Sequence, residues 1–172
     1  MTLKRLLCVF AFAAAAGVLL HFVIGGIHID SASMEPTLSA GTNVFLNKTA
    51  YLFRPPRRGE IIVFANPAFP HEESVTRVVA VAGDRVELRN MRLLLNGEEV
   101  VEDYAHHTRS GEKGLVGDYY PQSTVPADTV FVIGDNRGLA GETAMWRDPP
   151  EINAMVRWVP VRCIRGRLFG AH

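Results

Sequence analysis

Seven short runs of β-branched and aliphatic residues, each closed by a turn signal, set the tightest limit on what this chain can fold into. They are Asn43–Leu46, Ile61–Ala65, Val75–Val81, Arg85–Leu88, Arg92–Leu95, Thr129–Ile133 and Ile164–Leu168. Arg54-Pro55-Pro56 with Gly59, then Gly83-Asp84, then Asn96-Gly97 punctuate them, the last being the dipeptide favoured in type I′ hairpins. Helical periodicity is scarce beyond residue 28. The pattern predicts a mainly β fold, an antiparallel barrel or sandwich-like domain. Residues 103–126, with Gly111, Gly114, Gly117 and two prolines, read as a long insertion.

Composition shifts sharply only at the N-terminus. Lys4 and Arg5 precede an apolar run from Leu6 to Ile27 interrupted by His21. As a helix this run would measure roughly 33 Å, about the thickness of a hydrocarbon core. The expectation is a cytoplasmic tip and transmembrane anchor over 1–27 and an extracytoplasmic β domain over 28–172. The basic flank places the N-terminus in the cytoplasm of a single-pass cell-membrane protein. A cleaved signal peptide is the rival reading, although the run is long for one.

Some classes are disfavoured by composition. Formal net charge is zero, which gives no basic excess for nucleic acid. Cys8 and Cys163 sit in unlike contexts and suggest no bridge. The histidines lie apart except His106-His107, so neither a metal site nor a cofactor is expected.

The stretch Ser31-Ala32-Ser33-Met34-Glu35-Pro36-Thr37-Leu38 carries the chemical interest. Pro36 stiffens the segment beside the serine pair. A nucleophile close to a membrane suits a substrate that is itself held there, because tethering raises effective concentration. Three further blocks follow: Arg58-Gly59-Glu60-Ile61-Ile62-Val63-Phe64, Arg77-Val78-Val79-Ala80-Val81-Ala82-Gly83-Asp84, and Gly134-Asp135-Asn136-Arg137. In these four blocks, in this order, the chain resembles type I signal peptidases, the serine proteases that release secreted proteins from membrane-bound leaders. The resemblance covers nearly the whole chain. It implies Ser33 as nucleophile, and Ser31 as an oxyanion-hole hydroxyl acting with the Ser33 N–H. It also implies Asp135 and Asn136 as a turn that supports the site, and leader peptides and the lipid bilayer as partners.

A serine nucleophile needs a neighbouring base. The bacterial family places a lysine immediately before the Arg-Val of the third block, and the endoplasmic-reticulum branch a histidine; this chain has Thr76, which cannot take a proton in the working range. The fourth block departs as well, reading Ala140, Glu142, Thr143 and Ala144 where the family carries the serine, aspartate and arginine that support the base. Lys48, His71, His106, His107 and Lys113 read as solvated surface residues rather than substitutes. Three functions follow: a signal peptidase I-like endopeptidase, a catalytically inactive homologue with a binding or regulatory role, or a specialised pilin or conjugation processing peptidase. Whether a titratable side chain lies near Ser33 separates the first from the second.

Overall fold

The computed structural model describes residues 21–66, 71–90, 92–107, 119–137 and 158–170, with residues 5, 9, 10, 12, 13 and 17. Its regular elements are almost entirely strands: β1 Ile24–His28, β2 Asn43–Asn47, β3 Ile61–Ala65, β4 Glu73–Val81, β5 Arg85–Arg89, β6 Arg92–Leu95, β7 Glu98–Glu99, β8 Tyr119–Thr124, β9 Thr129–Ile133, β10 Trp158–Pro160 and β11 Ile164–Leu168. They form a seven-stranded sheet, β1-β2-β11-β3-β4-β9-β10, and a four-stranded sheet, β7-β6-β5-β8. Every strand pairing in both is antiparallel. The mainly β, antiparallel expectation holds.

Seven of the strands lie where the β-branched runs put them. The β6–β7 hairpin turns on Asn96-Gly97, whose φ angles of 57° and 95° are the positive pair that a type I′ turn requires.

β8 corrects the reading of 103–126 as an insertion, since it pairs along β5. Pro121 disguised it, and an edge strand is where a sheet tolerates proline. β1 corrects the extent of the N-terminal run. Its residues Ile24 to Ile27 pair with β2 instead of ending a helix. Length and hydropathy alone do not separate an apolar strand from the tail of an apolar helix. Among the described residues no helix is long and apolar enough to cross a membrane, and most of 6–20 lies outside them.

Between the sheets, Val79, Ala80, Val86, Leu88, Leu93, Phe131 and Ile133 form one core, with Tyr120 and Trp158 against the Phe131 ring. A bulge between Val78 and Ala80 sends both Val79 and Ala80 into it. A second core packs Met34 against Leu46, Ile61, Val63 and Leu168. That contact seats the Ser31–Leu38 segment on the large sheet. The loop after β2 behaves oppositely: Leu52 and Phe53 are 66% and 95% exposed, while Tyr51 turns inward to Glu60.

Candidate active site

Ser33 sits in a single 3-10 turn, Ala32–Met34, directly after β1 and its short extension. Ser31 caps that turn: its Oγ accepts the Ser33 N–H at 3.1 Å. The pair expected to face a developing oxyanion therefore face each other, with the Ser31 hydroxyl proton left to be donated outward. Met34 anchors the turn from below, being almost fully buried.

The turn rests on the end of β9. The Asn136 N–H donates to the Ser33 carbonyl at 2.9 Å, and Asn136 Nδ2 donates to the Ala32 carbonyl at 3.2 Å. Gly134 makes this approach possible. A Cβ there would stand 2.5 Å from the Ser33 carbonyl oxygen and 3.6 Å from Ser33 Cβ. Any side chain at 134 would push the serine away.

Asp135, between them, points the other way and is fully buried. Arg77 grips it with two donors, Nε to Oδ1 at 2.8 Å and Nη2 to Oδ2 at 2.6 Å. Thr37 Oγ1 donates to the same carboxylate at 2.5 Å, tying in the far end of the serine segment. The third Arg77 nitrogen, Nη1, donates to the Gly59 carbonyl at 2.7 Å, so the second sequence block supports the same cluster. The Tyr104 ring lies over the Arg77 guanidinium at 4.0 Å. Its hydroxyl donates to Glu102, which also pairs with Arg137. Burial and then the Glu102 charge push the Tyr104 phenol far above its ordinary pKa.

Register decides where Thr76 stands. Arg77 is opposite Ile133 in the β4–β9 ladder. Continuing by one residue sets Thr76 across from Gly134, and antiparallel partners carry their side chains on one face. The Gly134 face is the one Ser33 occupies, so Thr76, 8% exposed, shares it. Among the described residues no side chain forms a hydrogen bond with Ser33 Oγ.

The other basic candidates separate clearly. Lys48 follows β2 at the end of β1 away from Ser33, and its Nζ donates to the His21 carbonyl at 3.2 Å. His71 lies exposed before β4 begins. Lys113 and the positions Ala140, Glu142, Thr143 and Ala144 lie outside the described residues. His106 is exposed, as expected, and its backbone forms a parallel bridge with Asn136. His107 is lowered in pKa by burial and then by the Arg137 charge.

Sequence reasoning passed over Thr37, Gly134 and Arg77 as site residues although they stand within the quoted blocks. Glu102 and Tyr104 carried no signal, and His106 read only as a surface residue, because only the fold brings them to the 134–137 turn. Among the described residues no group of His, Cys, Asp and Glu is arranged to hold a metal.

Similarity to known proteins accords with this geometry. The family model described as signal peptidase, peptidase S26, matches residues 2–139. Signal peptidase I of Leptolyngbya laminosa is 35% identical over 81% of this chain and 71% of its own length. Signal peptidase I of Pseudomonas aeruginosa is 31% identical over 88% of this chain and 66% of its own. The match to signal peptidase I P of Bacillus subtilis subsp. natto spans 64% of that protein, so the chain covers about two thirds of the length of these relatives. A crystal structure of a signal peptidase I from Enterococcus faecalis V583 superposes with a TM-score of 0.50 at 26% identity, covering 67% of this chain and 97% of the other.

Proposed function

Because the chain belongs to the signal peptidase family, peptidase S26, we propose that it is a signal peptidase I-like serine endopeptidase that cuts leader peptides with Ser33. The observation that carries this reading is how Ser33 is held. Its carbonyl is pinned by Asn136, its floor is Gly134, and its neighbour Met34 is sunk in the core. So much fixed structure around a half-buried turn is what a nucleophile needs, since displacement by an ångström costs orders of magnitude in rate.

An extended substrate has a place to lie. β4 pairs with β3 from Glu73 onward but with β9 only from Arg77, leaving one edge of Glu73–Thr76 unpaired among the described residues. A peptide adding there as a strand would run past Ser33. Attack by Ser33 Oγ on its carbonyl makes an oxyanion. Ser31 Oγ and the Ser33 N–H would then turn from each other to donate to that oxygen. Collapse expels the new amine and leaves an acyl-serine for water to hydrolyse. Small residues such as alanine before the cut are the substrate preference that the family resemblance implies.

The same reading puts the β domain on the extracytoplasmic side of a cell membrane. Exposed Leu52 and Phe53 suit the headgroup level. Liposome flotation should weaken in Leu52→Ser/Phe53→Ser, and unchanged flotation would count against contact there.

Thr76 favours a second reading, a homologue that holds leaders without cutting them, because no proton acceptor stands where the family keeps one. The deciding experiment is cleavage of an alanine-x-alanine leader by the full chain in detergent micelles. Cleavage should be present and should vanish in Ser33→Ala. Binding without cleavage in the wild type would establish the second reading.

A further inference from the structure

We propose that His106 is the general base of this site, serving Ser33 in place of the lysine that the family carries at the position of Thr76. The inference rests on Ser33 being the nucleophile.

The backbone places His106 in the Ser33 layer. Its N–H donates to the Asp135 carbonyl at 2.7 Å, and its carbonyl accepts the Arg137 N–H at 2.8 Å. That is a parallel bridge across Asn136, whose own N–H points the opposite way, to Ser33. Residues paired in this manner carry their side chains on one face of the ladder. The Asn136 amide identifies the face, because it reaches Ala32 in the serine turn. The His106 imidazole therefore rises on the side where Ser33 and Thr76 lie, opposite to Arg77 and Asp135.

Distance agrees. Ser33 and His106 flank the 134–137 segment, two strand spacings apart, about 10 Å between backbones. From that separation a serine and an imidazole can meet directly or through one water, and contacts of this kind tighten when substrate binds. His106 is exposed, so a substrate can close over it.

Among the described residues, four other titratable groups are already engaged. Asp135 is consumed by Arg77 and Thr37, and Glu102 by Arg137 and Tyr104. Glu35 folds back to accept the Ala40 N–H. Lys48 is engaged with the His21 carbonyl.

The proton inventory closes without another reactant. As the Ser33 Oγ–carbon bond forms, the hydroxyl proton passes to the imidazole and the carbonyl electron pair moves to oxygen. When the pair returns, the carbon–nitrogen bond breaks and the imidazolium protonates the departing amine. In the second half the imidazole takes a proton from water as it attacks the ester, then returns it to Ser33 Oγ.

The test is His106→Ala in the full chain, assayed on the alanine-x-alanine leader. The expected result is a fall in kcat of about 10²–10⁴-fold with KM little changed. Imidazole added to the buffer should restore part of the loss. Thr76→Lys in the same background should restore cleavage from the neighbouring strand. Neither rescue would follow from mere structural damage. Ser33-dependent cleavage that persists at full rate in His106→Ala overturns the base alone, as does a loss that neither route rescues. A wild type without Ser33-dependent cleavage overturns the nucleophile and the base together.

Discussion

Thr76 and Arg77 are consecutive residues of one strand, and they face two different chemical worlds. On the Arg77 side the groups are paired: guanidinium to carboxylate, carboxylate to Thr37, aromatic ring over cation, with the Arg77–Asp135 pair itself out of water. On the Thr76 side, among the described residues, stand a serine, a glycine and an asparagine, together with the imidazole proposed as the base. The first face stores stability and geometry, and the second holds the groups that could react. In this chain the face that builds the site holds Arg77 and Asp135, while the reacting face carries Thr76 where the family resemblance implies a lysine. The two tasks are separable. A strand's alternation lets one change without disturbing the other.

The most damaging substitution lies on the supporting face. Asp135→Asn keeps the shape but leaves the Arg77 charge buried without its counter-ion. Removing one partner of a buried pair costs about 3–5 kcal/mol. For a chain of this size the midpoint of thermal unfolding should fall on the order of 10 °C. Circular dichroism on heating measures it. An unchanged midpoint would mean that the supporting face does not carry the site, and the contrast between the faces would fail.

How much of this could be read beforehand follows the same division. Strands such as Ile61–Ala65 and Thr129–Ile133 were legible because residue type alone marks them. The serine turn and the Gly134–Arg137 block were legible as motifs. β1 was hidden because its apolar residues continued an apolar run. β8 was hidden by Pro121. His106 was the least legible, since nothing within its own segment links it to Asn136. That link comes from how residues 102–107 fold back on the end of β9, a pairing across thirty residues of sequence. Thr76 lies between these cases. Its sequence position is plain, but its facing Ser33 depends on Arg77 standing opposite Ile133.

The smaller and sharper test is on the reacting face. Thr76→Lys puts an amine on the side where Gly134 leaves room for Ser33. Thr76 is largely buried, and burial disfavours the charged ammonium, lowering the pKa of a lysine placed there. A neutral amine beside a serine hydroxyl is a general base, worth about 10²–10⁴-fold when well placed. The family resemblance implies a steadying hydroxyl at position 140, which is alanine here. The gain should therefore sit toward the lower end of that range and rise further with Ala140→Ser. It should also be larger when His106 is alanine than when the histidine is present, because two bases serving one serine do not add. Ser33→Ala must erase the gain in every background. Steady-state cleavage of the alanine-x-alanine leader reads all of these. If Thr76→Lys gives no gain even without His106, then residue 76 does not face the serine. The assignment of Thr76 and Arg77 to opposite tasks would then fall with it.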